Sequence, residues 1–351
     1  MKARKLTRIL STVLSLAICT AVFSSCNADK REEKYKEAYE LLASRNYDAA
    51  YALFVELGDY KDAAKEAAYF RYVPTAHHVD YVDGEETGTI TYTVTLNEQN
   101  LPATVNRKYS DGDEHTCNIT YNALGLMTLR ECTDTDGETL SYEVTYDANG
   151  NILSEKLTDT DGTVSKFDYT YNEKNQLVRV DADAIDYYDS YTCTYDEDGN
   201  ITRIVYEYEN GNYIEENIYN ASGDILKITA TNENGEVDSI TDYEYDEKGR
   251  HVKTVYTRDG DFSGFRSITY NDKDQKIAEH ASYAFGYEYT YNYEYDEHGN
   301  VIKKIYANPD ATIGNDITES TYKLVYIPFE FTEQEWVDIC DATQCWDTTH
   351  W

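Results

Sequence analysis

From about residue 90 to residue 306 apolar and polar residues alternate one for one. Tyr142, Val144 and Tyr146 fall on one side of the alternation and Glu143 and Thr145 on the other; Tyr287, Tyr289, Tyr291, Tyr293 and Tyr295 alternate in the same way with Glu288, Thr290, Asn292 and Glu294. A period of two is that of a strand, whose successive side chains point to opposite faces, so each run predicts a strand with one aromatic and one solvated face. Polar loops break the runs at Asp111-Gly112, Asp136-Gly137, Asp161-Gly162, Asn210-Gly211, Asn234-Gly235 and Asp259-Gly260. These pairs are strong hairpin signals, because Gly accepts positive φ and Asp or Asn bonds nearby backbone. Residues 29–72 have a different rhythm. Tyr35, Ala38, Tyr39 and Leu42, then Ala50, Leu53, Phe54 and Leu57, recur at helical spacing. Two or three helices are expected, with Gly58 ending one, Asp59 capping the next, Asp62 three residues on, and Pro74 closing the region.

The strand pattern is itself periodic. Tyr121, Tyr146, Tyr171, Tyr195, Tyr219, Tyr245, Tyr270 and Tyr295 stand 24 to 26 residues apart, and Leu96 stands 25 before the first. Each of these tyrosines is followed by Asn or Asp, and most by a glycine four residues on: Gly125, Gly150, Gly199, Gly223, Gly249 and Gly299. Lys174-Asn175 and Asp274-Gln275 lack that glycine. Two turns per unit make each unit a hairpin, and nine units give about 18 antiparallel strands, some 85 Å across if flat at roughly 4.8 Å per strand. Sheets of that width twist and curl. The expected fold is therefore mainly β: a curled or superhelical antiparallel sheet of about nine hairpin repeats, burying its tyrosine face, with its closure left open. Burying an aromatic ring contributes about 1.5–3 kcal/mol and an unpaired buried hydroxyl costs about 1–3, so Tyr in place of Leu implies an interior whose edges are wet or partnered.

The turns Tyr146-Asp147-Ala148-Asn149-Gly150-Asn151, Tyr195-Asp196-Glu197-Asp198-Gly199-Asn200, Tyr245-Asp246-Glu247-Lys248-Gly249-Arg250 and Tyr295-Asp296-Glu297-His298-Gly299-Asn300, with the repeat length, resemble the YD repeats, or RHS repeats, of bacterial surface and toxin proteins. In the toxin members such repeats wind into a hollow shell around a cargo domain; the resemblance implies the repeat sheet here, and nine units fall short of such a shell. Tyr47, Ala50, Phe54 and Leu57, with Asn46 before them, resemble the second helix of a tetratricopeptide repeat. One unit makes no peptide groove, which needs about three stacked copies, so a helical neck is expected.

Composition adds an address and removes a class of partner. Lys2, Arg4, Lys5 and Arg8 precede an apolar run from Ile9 to Phe23, too short for the about 20 residues of a spanning helix. It reads as an export signal. Phe23-Ser24-Ser25-Cys26 resembles the lipobox of bacterial lipoproteins, which implies lipidation at Cys26 and an anchor held outside the cytoplasm. The expected division is 1–25 signal, 26–73 helical neck, 74–326 repeat domain and 327–351 C-terminal cap. There are 66 acidic against 31 basic residues, for a net charge of -35. Nucleic acid, held through clustered Lys and Arg, is thereby excluded as a leading partner. Five cysteines follow Cys26, namely Cys117, Cys132, Cys193, Cys340 and Cys345, an odd number whose pairing the sequence leaves undetermined.

Catalytic chemistry finds no motif. Gly260-Asp261-Phe262-Ser263-Gly264 places its serine one position late for a nucleophile elbow, and the adjacent His77 and His78 would point to opposite faces of a strand. Asp196, Asp198 and Asn200 have the opening spacing of a calcium loop with Glu207 twelfth, but Glu207 lies in a strand pattern, so no metal and no cofactor is expected, with weak calcium binding the most that these loops imply. The expectation is a non-catalytic, lipid-anchored cell-surface protein acting in binding or scaffolding, partnered by an extracellular protein or a glycan. The alternatives are a carbohydrate or cell-wall binding module and, as a lesser one, a hydrolase with an unrecognised site.

Overall fold

The computed structural model describes residues 30–83, 86–184, 188–309 and 315–328. Cys26, Cys340 and Cys345, the signal segment and the expected cap beyond 328 lie outside the described residues. The chain divides into two units, the first formed by the N-terminal residues to Val73 with 323–332, the second by Pro74–Tyr322 with the C-terminal end.

In the first unit α1 (30–43), α2 (Tyr47–Leu57) and the short α3 (Ala63–Ala67) surround a core of Ala38, Ala50, Phe54, Leu57, Ala63, Phe70 and Leu324. The 3–4 spacing places Tyr47, Ala50, Phe54 and Leu57 on one buried stripe of α2. Gly58, at φ 57°, ends that helix by turning its N–H back to the Phe54 carbonyl at 3.2 Å. Asp59 does not cap α3, which begins four residues later. Its carboxylate is paired with Arg31 at 2.8 Å, because it sits on the turn facing α1. The Tyr326 hydroxyl donates to Glu66 at 2.5 Å, and the Ile327 N–H to the Tyr69 carbonyl at 2.9 Å.

The second unit is built on twenty strands: β1 (Phe70–Asp83), β2 (Glu86–Leu96), β3 (Pro102–Tyr109), β4 (Glu114–Tyr121), β5 (Met127–Thr133), β6 (Thr139–Tyr146), β7 (Ile152–Thr158), β8 (Val164–Tyr171), β9 (Leu177–Asp183), β10 (Ser190–Tyr195), β11 (Ile201–Tyr208), β12 (Gly211–Tyr219), β13 (Ile225–Asn232), β14 (Val237–Tyr245), β15 (His251–Arg258), β16 (Asp261–Tyr270), β17 (Lys276–Tyr283), β18 (Glu288–Tyr295), β19 (Val301–Ala307) and β20 (Asn315–Tyr326). Each strand pairs with the next, and β1 pairs with both β2 and β20. The His77 ring nitrogen Nδ1 lies 2.8 Å from Ser320 Oγ, and Thr75 Oγ1 donates to the Thr321 carbonyl at 3.4 Å, across the closing pair.

This corrects the sequence expectation. The sheet is not a curled or superhelical ribbon of about nine hairpins; it is a closed antiparallel barrel of 20 strands. The strands that make the difference, β1 and β20, lie outside the interval bounded by the recurring tyrosine motif. An open ribbon would leave two edges of unpaired backbone N–H and C=O groups, and pairing the first strand with the last removes both.

The alternation is realised as an inner and an outer face. On β6, Leu140 and Val144 are buried at 2% and 4% exposure, while Thr139, Glu143 and Thr145 are exposed. Cys117 on β4 and Cys132 on β5 stand directly opposite on the inner face and form a disulfide, with Cα atoms 3.9 Å apart. Cys193, on the inner face of β10, keeps a half-buried thiol whose pKa burial raises.

Candidate binding site

An up-and-down closed sheet has two rims, and the sequence treats them differently. At one rim every strand pair turns through the same device. In each turn the carbonyl of the residue after the anchor, for example Asp147, accepts the N–H of the residue three positions on, and its own N–H donates to the carbonyl four positions on. Its side-chain oxygen caps the loop: Asp147 Oδ1 accepts from Asn149 and Asn151 at 2.8 and 2.9 Å, and Asn172 Oδ1 from Lys174 and Gln176 at 2.9 and 3.0 Å. These bonds hold the carboxyl groups of Asp147 and Asp196 below the usual range, the side-chain bond from Asn151 or Asn200 being the largest cause. Gly125, Gly150, Gly199, Gly223, Gly249 and Gly299 have φ between 78° and 93°. The three turns without glycine keep the same backbone, since Asn100, Asn175 and Asp274 adopt φ of 63°, 65° and 62°. Asn and Asp are the non-glycine residues that tolerate this region best.

The anchor rings sit just inside that rim, where the register shifts by one residue at each of them, as between Thr145 and Tyr146. The shift is a β-bulge. The hydroxyls reach back to the start of the preceding strand: Tyr121, Tyr146, Tyr195, Tyr219, Tyr245, Tyr270 and Tyr295 donate to the carbonyls of Pro102, Met127, Leu177, Ile201, Ile225, His251 and Lys276 at 2.5–2.9 Å. Tyr171 occupies the equivalent place at the end of β8, where burial raises its pKa. Sequence reading missed one member: Tyr322 donates to the Val301 carbonyl at 2.9 Å. It stands 27 residues after Tyr295 but is followed by Lys323, so the turn signal that marks the others is lacking.

Further along the inner face two glutamates are satisfied by their neighbours. Glu155 accepts from the hydroxyls of Tyr142 and Tyr169, both at 2.5 Å. Glu279, 5% exposed, is held by Arg266 and Lys276 at 2.8 and 3.0 Å. Burial disfavours its charge, but those two hydrogen bonds outweigh it and keep the carboxyl below its usual range. Glu215 is the opposite case, raised by burial. Asp196 is committed to its own turn, and Glu207 accepts from Ser190 Oγ at 2.5 Å, so these two are not brought into one loop as a calcium site would require. Among the described residues no group of three His, Cys, Asp or Glu is placed to hold a metal ion. His77 faces Ser320 on the inner side while His78 lies by Thr91 and Asp80.

The opposite rim is where aromatic side chains meet water: Phe285 is 76% exposed, Phe262 58% and Tyr208 42%. Phe285 occupies the β17–β18 turn. The Gly286 N–H bonds the Tyr283 carbonyl at 2.9 Å and the Tyr283 N–H the Tyr287 carbonyl at 2.8 Å, while the Ala284 N–H is tied to the Ser263 carbonyl of the neighbouring hairpin at 2.8 Å. Tyr283, Phe285 and Tyr287 form a triangle of rings, with centroids 5.5, 6.3 and 6.3 Å apart and interplanar angles of 18°, 15° and 34°, and Tyr256 lies against Tyr283 at 5.9 Å and 26°. Gly264 makes the Tyr256–Tyr283 contact possible. It lies between Tyr256 and Tyr283 in the register, and a Cβ there would stand 2.6 Å from the Tyr283 ring. Tyr287 and Tyr306 share a hydroxyl contact at 2.9 Å, which with burial pushes the Tyr287 phenol up to about 12, so it stays a neutral donor at ordinary pH.

Comparison with known proteins agrees with the repeat. Residues 146–185 match the RHS repeat family model. No curated protein matches. Among solved structures, the TcdB2-TccC3-TEV crystal structure is similar at 10% identity over 74% of this chain and 18% of that one, TM-score 0.35. TcdB2-TccC3-Cdc42 is similar at 11% identity over 68% and 15%, TM-score 0.33. A porin-like protein from Bacteroides uniformis ATCC 8492 is similar at 12% identity over 71% and 98%, TM-score 0.33. The chain thus spans less than a fifth of the TcdB2-TccC3 chains it resembles, and the superpositions are too loose to transfer a role.

Proposed function

We propose that the chain is an exported, non-catalytic binding protein of the cell envelope, lipid-anchored through Cys26, which uses the closed sheet as a rigid frame and the rim opposite the anchor tyrosines as its contact surface. One observation carries this reading. The anchor rim commits the opening Asx side chain of its turns to the turn itself, whereas the other rim holds a large aromatic, Phe285, 76% exposed on a backbone fixed by three hydrogen bonds. Loops displayed on a rigid frame are where binding residues concentrate, and an exposed apolar group held in place is better suited to a partner than to water. The RHS match at 146–185 and the signal and lipobox pattern at 1–26 support an envelope location.

Two measurements test the reading. The full-length protein should be retained by insoluble envelope material without releasing soluble fragments from it; free passage, or progressive release, would contradict binding or non-catalysis respectively. Cys26→Ala should move the protein from the detergent-extracted to the soluble exported fraction, and continued detergent dependence would overturn the anchor.

A further inference from the structure

Five turns at the rim opposite the anchors share one geometry, in which a glycine N–H bonds the carbonyl three residues earlier, and four of them place Asp or Asn immediately before that glycine. These are Asp111, Asp136, Asp161 and Asn234, before Gly112, Gly137, Gly162 and Gly235. The fifth has Phe285 before Gly286. Turn chemistry favours the short polar side chain, which can cap nearby N–H groups, and gives no reason for a phenyl ring. Packing gives little reason either, since the ring remains 76% exposed. Its departure from the repeat therefore points to something outside the chain.

The orientation of the neighbouring rings narrows the chemistry. Rings set at steep angles around a point would form a cage for an organic cation. Here Tyr283, Phe285 and Tyr287 stand 5.5–6.3 Å from one another with planes 15–34° apart, a cluster without steep walls whose outermost ring, Phe285, is open to a ligand that is itself flat. A pyranose has such a face, a patch of axial C–H groups that packs on an aromatic ring while its equatorial hydroxyls stay wet or bond to groups at the ring edges. The Tyr287 and Tyr306 hydroxyls supply such groups. The net charge of -35 disfavours uronic-acid or sulfated chains by long-range repulsion. We infer that the β17–β18 turn, with Phe285 as its outermost ring, is a stacking platform for an uncharged glycan chain. This deepens the binding reading above and rests on it.

The test uses Phe285→Asp in the full chain, which restores the residue type the other turns carry and so should fold with an unchanged melting temperature. Isothermal titration of the wild type with chitohexaose, cellohexaose and laminarihexaose is expected to show saturable binding of at least one, with polygalacturonate inert, and at least a tenfold weakening in Phe285→Asp. Tyr287→Leu should weaken the same sugar, guarding against a change confined to one turn. No binding of any neutral hexasaccharide by the wild type, equal binding by Phe285→Asp, or preference for polygalacturonate would each overturn the inference. Retention on envelope material separates the two claims: retained protein that ignores all three sugars sinks the glycan assignment alone, and protein that is not retained sinks the binding reading as well.

Discussion

The two rims of the sheet differ in what their side chains are for. At the anchor rim Asx side chains close the loops, left-handed residues turn them, and tyrosine hydroxyls tie each hairpin to the one before it. Neighbouring turns also bond to one another: Asn151 and Asn175 exchange side-chain amide bonds at 2.6 and 3.1 Å, and Asp274 receives Lys248 and Arg250 at 2.7 and 2.6 Å. The loop-opening residue alternates along the chain as Asn122, Asp147, Asn172, Asp196, Asn220, Asp246, Asn271 and Asp296. Successive anchor turns are two strands apart, about 10 Å, so a carboxylate at every turn would face its neighbour at about one Debye length. Alternation doubles that spacing. At the opposite rim the backbone turns are as regular in several hairpins, yet the side chains are not, and Phe285 shows that a turn can be kept while its exposed residue is changed. The lesson is that identical backbone geometry can serve structure at one end and display at the other.

The largest effect that would sharpen this contrast is on stability. Tyr195→Ala removes a ring and its hydroxyl bond to the Leu177 carbonyl and should cost about 3 kcal/mol in chemical denaturation, as large aromatic truncations do. Phe285→Asp should stay within about 0.5 kcal/mol of wild type. Equal losses at the two sites would erase the distinction between the rims.

A finer test uses the alternation as its own control. The Asp147 and Asp196 carboxyls are depressed in the folded chain, so their contribution is complete above the ordinary Asp value of about 3.9 and is lost as pH falls through the folded value. In an NMR titration the amides of Asn151 and Asn200, which donate to those carboxylates, should shift with an inflection below that value. The amides of Leu126 and Gln176 donate to Asn122 and Asn172 in the same geometry, and their amide acceptors do not titrate. They should stay flat. Parallel titration of both sets would mean that the turns respond to something other than their own side chains.

Much of this was legible in the chain. A strand period of two, a tyrosine interval of 24 to 26 residues and Asx-x-x-Gly turns are local signals, because each is set by backbone geometry within a few residues. Other features depend on partners distant in sequence. Closure joins His77 to Ser320, and no local pattern marks either strand as belonging to the same sheet edge. Tyr322 was hidden because its turn signal is missing although its ring makes the same bond as the others. Cys117 and Cys132 become partners only once the β4–β5 register is known, since that register decides which of the cysteines stand opposite. Phe285 is visible in the sequence, but its meaning emerges from comparison with the Asp and Asn residues that occupy its place elsewhere.

The two sets of turns become continuous rims only if the sheet is closed, so the decisive measurement is of the seam between β1 and β20. Cysteines introduced at His77 and Ser320, in a Cys193→Ser background and under mild oxidation, should form an intramolecular crosslink in nearly all molecules, with the non-reducing gel mobility shifted and the monomer mass unchanged. A chain that stays uncrosslinked while remaining folded, or that crosslinks only between molecules, would mean that the first and last strands are not neighbours and that the sheet is open.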